Sequence, residues 1–249
     1  MFDTHCHIHE ADYPGGGEAA LTRAHATGVT QMICVGTSEE SSREAVEFAA
    51  LHNGVYAAVG VHPHETKEGY EEVNRLLGLE KTKIVAVGEI GLDYFYTHSP
   101  RETQIRALEM QIDWALQHDL PIIFHVREAF DDFWPVFDNF HGIRGELHSF
   151  TDTVQQLERG LTRGLLVGVN GISTFTKDTK QQAMFASIPL ERMLLETDAP
   201  FLTPAPLRGK VNEPAFVVYV AKFHAEKRGI SLEELTQATT ANAEHLFSI

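Results

Sequence analysis

Cysteine is almost missing from this 249-residue chain, which has only Cys6 and Cys34 and no CxxC spacing. That excludes a disulfide framework and a zinc–thiolate cluster as sources of order. Positive charge is also scarce, with 20 Lys and Arg against 35 Asp and Glu and a formal net charge of −15. Phosphate neutralisation by Lys and Arg dominates sequence-independent nucleic-acid affinity, so a broad electrostatic groove is excluded. A phosphoester substrate is not, because bound divalent cations reverse the local field. No run approaches about 18 consecutive apolar residues, and the N-terminus passes directly into Asp3 and His5, so neither a transmembrane helix nor a signal peptide is expected. A phosphate-cradling loop is lacking as well: Gly15-Gly16-Gly17 is not followed by Gly-Lys-Ser/Thr. What remains is 43% hydrophobic and 22% charged, the balance of an ordinary cytoplasmic globular protein. A single domain over 1–249, monomeric and without a membrane partner, is expected.

Short apolar runs alternate with longer amphipathic ones. Those at 2–8, 31–36, 56–62, 84–91, 121–126, 145–150, 165–171 and 192–197 read as strands. Between them, 18–26, 39–52, 68–79, 102–117, 130–139, 154–163 and 180–187 read as helices. Two more helices follow, at 215–228 and 232–246, the second opened by Ser231 with Glu234 three residues on, a capping box. Eight βα units in series predict an α/β chain folded as a (β/α)8 TIM barrel with an extra C-terminal helix. A doubly wound open sheet is the alternative. It is disfavoured because polar residues end the first, fourth, fifth, sixth and eighth runs, and only barrel closure gathers those ends at one rim.

Those ends carry the chemistry. His5 and His7 in Asp3-Thr4-His5-Cys6-His7 share a strand face, since side chains alternate with period two, while Cys6 faces the other way as a small buried hydrophobe. Glu89 closes an apolar run, where a carboxylate is costly without a cation or hydrogen bonds. Barrel hydrolases that bridge two metals with a carboxylated lysine need a Lys there. None lies between Val85 and Leu92, which makes Glu89 the bridge. His125, His148 and Asp198 end three further runs. The six predict a two-metal hydrolytic site for Zn, Mg, Mn or Ni, with Asp198 also able to accept a proton from water. Glu196 reads as a residue that orients a ligand His or as a buried ion-paired Glu, and Asp93 as a ligand's partner or a turn cap. His62 in Gly60-Val61-His62-Pro63-His64 is a candidate for substrate contact and oxyanion stabilisation, whereas His64 reads as a loop residue. Arg127 and Asn212 are candidates for phosphate contact, and Tyr94, with Phe95 and Tyr96, for stacking on a base.

Phe2-Asp3-Thr4-His5-Cys6-His7, Gly60-Val61-His62-Pro63-His64, Gly88-Glu89-Ile90-Gly91-Leu92-Asp93-Tyr94, His148-Ser149-Phe150-Thr151, Leu195-Glu196-Thr197-Asp198-Ala199-Pro200 and Asn212-Glu213-Pro214 occur in this order. Over essentially its full length the chain resembles the TatD family of metal-dependent hydrolases, within the wider amidohydrolase-type barrels. The resemblance implies two divalent metals, one held by His5, His7, Glu89 and Asp198 and the other by Glu89, His125 and His148. It also implies DNA as partner, with phosphodiester hydrolysis often running 3′ to 5′ on single strands. Two positions depart from the family pattern. Asp152 stands where Phe-Thr is usually followed by Gly, and Val211 precedes Asn212 where Arg is frequent.

The residues alone leave the scissile bond open. A metal-dependent deoxyribonuclease competes with an ester or amide hydrolase, such as a D-aminoacyl-tRNA deacylase acting on aminoacyl-tRNA, or a small-molecule amidohydrolase. A non-catalytic binding barrel is a third reading, and the complete ligand set argues against it.

Overall fold

The computed structural model describes residues 1–79 and 83–249. Its strands are β1 (Phe2–Cys6), β2 (Gln31–Val35), β3 (Val55–Val59), β4 (Ile84–Asp93), β5 (Ile122–Arg127), β6 (Gly145–Leu147), β7 (Leu166–Val169) and β8 (Met193–Leu195). The helices are α1 (Gly17–Ala26), α2 (Glu39–Leu51), α3 (Glu71–Leu77), α4 (Arg101–Gln117), α5 (Phe130–Phe137), α6 (Val154–Thr162), α7 (Ile172–Phe175), α8 (Thr179–Ser187), α9 (Val217–Arg228) and α10 (Leu232–Phe247). The sheet order is β1-β2-β3-β4-β5-β6-β7-β8. A parallel bridge between Cys6 and Ala199 returns the chain beyond β8 to β1. Chain order with first and last strands joined is the topology of a (β/α)8 barrel; an open doubly wound sheet has neither property.

Two compact units compose the chain, one of Met1–Ile33 with Ser149–Leu246, the other of Cys34–His148 with Phe247–Ile249. In the first, Thr153 and Asp178 accept the N–H groups of Gln156 and Lys180 and so open α6 and α8. Helix α9 ends on Gly229 at φ 67°, where a left-handed residue stops the helix. The expected capping residue of α10 is seen, the Ser231 hydroxyl accepting the N–H of Glu234 at 3.0 Å. Helix α7 has no counterpart in the sequence reading. Four residues are too few to display a helical period, and Asn170 starts the turn by accepting the Ile172 N–H at 3.1 Å.

In the second unit, Ser38 caps α2. Leu108, Ile112 and Ala115 bury the apolar stripe of α4. Two glutamines on that helix are buried with them. Gln111 grips both backbone groups of Val61, at 2.8 and 3.2 Å, and Gln104 grips both of Asp93, at 2.9 and 3.1 Å. They latch the ends of β3 and β4 by satisfying backbone groups there. Neither unit contains a helix long and apolar enough to cross a membrane, among the described residues.

Candidate metal centre

In the first unit the polar residues gather where β1 meets the segment following β8. Asp3 is fully buried and accepts the Thr197 N–H at 2.8 Å and the Thr197 hydroxyl at 2.6 Å. Burial pushes its carboxyl up to about 8 against those two bonds. His5 and His7 share a face as period two requires, their Nε2 atoms 3.2 Å apart and their rings edge to face at 4.9 Å. Asp198 Oδ1 lies 3.3 Å from His7 Nε2 and 3.8 Å from His5 Nε2. Cys6 points the other way, its thiol on the Ile33 carbonyl at 3.4 Å.

Strand β8 stops at Leu195, short of the expected 197, so period-two alternation no longer governs the residues after it. Asp198 has a φ of 57°, with its N–H on the His5 carbonyl at 2.8 Å. That turn aims the carboxylate at the two histidines. Glu196 faces elsewhere, accepting the Ser149 N–H at 2.8 Å and the Asn170 amide at 3.1 Å. It orders the backbone just after His148. Asn212 is fully buried, donating to the carbonyls of Thr197 at 2.8 Å and Phe201 at 2.5 Å. Its amide holds the loop around Asp198. Nearby, Arg208 is exposed, donating to the Thr203 carbonyl and lying over the Phe175 ring.

In the second unit the centre is Glu89. Between Val87 and Ile90 the pairing of β4 with β5 slips, so that Gly88 and Glu89 oppose Ile123 alone, a bulge that re-aims the carboxylate. Glu89 Oε1 lies 2.7 Å from His125 Nδ1, 3.6 Å from His148 Nε2 and 3.7 Å from His62 Nε2. One oxygen facing three imidazole nitrogens suits a divalent cation, and the all-N/O donor set suits zinc, manganese, nickel or magnesium. Gly91 allows His125 to come so close. Its φ is +155°, and a Cβ there would meet the His125 carbonyl oxygen at 1.7 Å.

Asp93 does both things the sequence allowed. Its Oδ1 caps the following turn, accepting the N–H groups of Phe95 and Tyr96 at 2.9 Å each. Its Oδ2 lies 3.0 Å from His125 Nε2 and 3.0 Å from His64 Nε2. Burial alone would raise Asp93, but the bonds from His125 and Tyr96 hold it well below the ordinary carboxylate range. For His125, burial acts downward and is outweighed by Asp93 and Glu89, lifting it to about 9. His64, read from sequence as a loop residue, belongs to this cluster and is lowered mainly by burial. His62 is lowered well below 6.5 by burial and by neighbouring His125, so it is neutral. Its Nδ1 accepts the His64 N–H at 3.2 Å, which puts the proton on Nε2, facing Glu89.

Two expected substrate contacts sit farther along. Tyr94 donates its hydroxyl to Asp132 at 2.6 Å and carries Arg101 over its ring, so its polar end is committed within the protein. Arg127 is exposed and lies against the Phe95 and Tyr96 rings. Sequence reasoning missed Gln104 and Gln111. An amide two helical turns from its neighbour on the buried face was the one available signal.

A family model described as TatD related DNase matches residues 2–248. Among relatives, YabD of Bacillus subtilis (strain 168), named an uncharacterized metal-dependent hydrolase, is 35% identical, covering 100% of this chain and 99% of its own. A protein of Cronobacter sakazakii named 3′-5′ ssDNA/RNA exonuclease TatD is 34% identical, covering 99% and 97%. The crystal structure of YjjV, a TatD homologue from Escherichia coli K12, is 32% identical with a TM-score of 0.92, covering 100% of this chain and 98% of that one.

Proposed function

Because the chain belongs to the TatD family of metal-dependent hydrolases, we propose that it is a deoxyribonuclease removing nucleotides from the 3′ ends of single-stranded DNA. In this reading His5, His7 and Asp198 would hold a divalent cation in one unit, and Glu89, His125 and His148 would hold one in the other. The observation carrying it is that each unit gathers its own share of those residues, ligating atoms 2.7–3.8 Å apart, at strand ends and turns far apart in sequence.

Two divalent cations, when bound, lower the pKa of water to about 7 and offset phosphate charge. The side chains supply the rest. Asp198, 16% exposed, accepts a proton from the attacking water as the water's oxygen bonds to phosphorus and the bond to the 3′ oxygen breaks. His62, neutral and carrying its proton on Nε2, donates a hydrogen bond to a phosphoryl oxygen as charge builds there. Asp93 and the turn it caps hold His125 in one ring orientation.

The test uses purified full-length protein with Mg²⁺, Mn²⁺ or Zn²⁺ and single-stranded DNA labelled at its 5′ end. A ladder shortening from the 3′ end is expected, abolished in Glu89→Gln together with loss of bound metal by elemental analysis. Intact DNA alongside turnover of an aminoacyl ester would replace the phosphodiester with an acyl substrate.

A further inference from the structure

The face beside the metal-ligand cluster of the second unit has an arrangement that a small phosphoester does not need. Phe95 and Tyr96 are large aromatic residues left 48% and 45% exposed. Burying them would have been favourable, and the turn capped by Asp93 instead holds both rings outward. The Arg127 guanidinium lies 4.0 Å from the Phe95 ring centroid and 4.9 Å from that of Tyr96. Among the described residues no carboxylate pairs with Arg127, although the chain carries 35 Asp and Glu. Its neighbours contrast with it: Arg101 is tied to Asp132, and Tyr94 hydrogen-bonds the same carboxylate. Arg127 also pairs across the sheet with Asp93 and stands two residues beyond His125. The platform is thus fixed, through Asp93, to the cluster around Glu89.

We propose that Phe95, Tyr96 and Arg127 form a stacking platform for a base of single-stranded nucleic acid, with the guanidinium engaging an adjoining phosphate. The inference rests on the nuclease reading and deepens it, giving the site its preference for unpaired strands. Aromatic faces take up only bases that have left a duplex stack, and each such contact is sequence-tolerant because every base has a π-face. A guanidinium already in contact with two rings loses little freedom on meeting a phosphate.

The experiment measures binding of the full-length protein, with Ca²⁺ in place of a catalytic metal, to single-stranded oligonucleotides carrying 2-aminopurine at successive positions from the 3′ end. Wild type is expected to quench one position selectively. Tyr96→Leu should remove that quenching and weaken binding about tenfold, while Tyr96→Phe retains both. Arg127→Gln should lower the slope of log K against log salt by about 0.7, the share of one phosphate on a single strand. A blunt duplex should bind equally to wild type and Tyr96→Leu. Unchanged quenching and affinity in both variants would overturn the platform, even if the protein degrades DNA. Conversely, selective quenching by a protein that never cleaves DNA would sustain the platform and defeat the nuclease reading.

Discussion

His224 on α9 offers a quantitative probe of how the first unit is held together. The ring is 3% exposed, and its Nε2 lies 2.9 Å from the Ser173 hydroxyl oxygen. That hydroxyl gives its own proton to the Asn170 carbonyl at 2.7 Å, so it can only accept from His224, whose Nε2 therefore carries a proton. Burial, aided by the charge of Arg228, lowers His224 from 6.5 to about 3. The unfolded chain consequently takes up a proton that the folded chain refuses. Stability from this group is complete above pH 6.5, and falls as the pH drops from there toward 3. The whole interval corresponds to about 5 kcal/mol, and the part between pH 7 and pH 5 to about 2 kcal/mol, at roughly 1.4 kcal/mol per pH unit. Against a typical folding stability of about 5–15 kcal/mol that is measurable. Urea denaturation of wild type and His224→Gln at pH 7, 6 and 5 isolates it, since every other titrating group is common to both. Glutamine can donate to Ser173 but cannot ionise, so the stability gap between the two proteins should narrow by about 2 kcal/mol over that range. Parallel pH curves would show that His224 is protonated in the folded chain and refute the argument.

Four further outcomes are expected. Gln104→Leu strips partners from the Asp93 N–H, the Asp93 carbonyl and the Ser99 carbonyl, and should cost about 3 kcal/mol in denaturation while weakening metal retention in the Glu89 cluster. Unaltered stability would mean that water replaces the amide. Asn212→Leu leaves the Thr197 and Phe201 carbonyls without that donor, and should cost about 2–4 kcal/mol, read as a lower midpoint even in chelated protein. Gly91→Ala should destabilise by about 3 kcal/mol or prevent folding, because backbone meets backbone. Gly142→Ala, with a φ of +83° but nothing within 4 Å, should cost about 1 kcal/mol in thermal melts. Equal losses at the two glycines would show that φ, not the clash, sets the penalty.

Much of this protein was legible before any coordinates. Eight apolar runs separated by amphipathic ones specify the barrel topology because burial pattern and connection length are local properties of the chain. His5 and His7 were paired correctly because alternation along a strand is a covalent regularity. That alternation does not reach Asp198, since β8 ends at Leu195 and a left-handed turn at Asp198 redirects the side chain. Whether a polar residue faces substrate or backbone was equally beyond sequence. Asn212 and Arg127 look alike as loop candidates, yet one is sealed against two carbonyls and the other lies open across two aromatic rings. His64 joined the cluster only because the β4 turn brings Asp93 within 3.0 Å of it. Local periodicity can be read from the order of residues; which distant groups satisfy one another is settled only when the strands are laid side by side, because hydrogen bonds and charge pairs depend on distances through space.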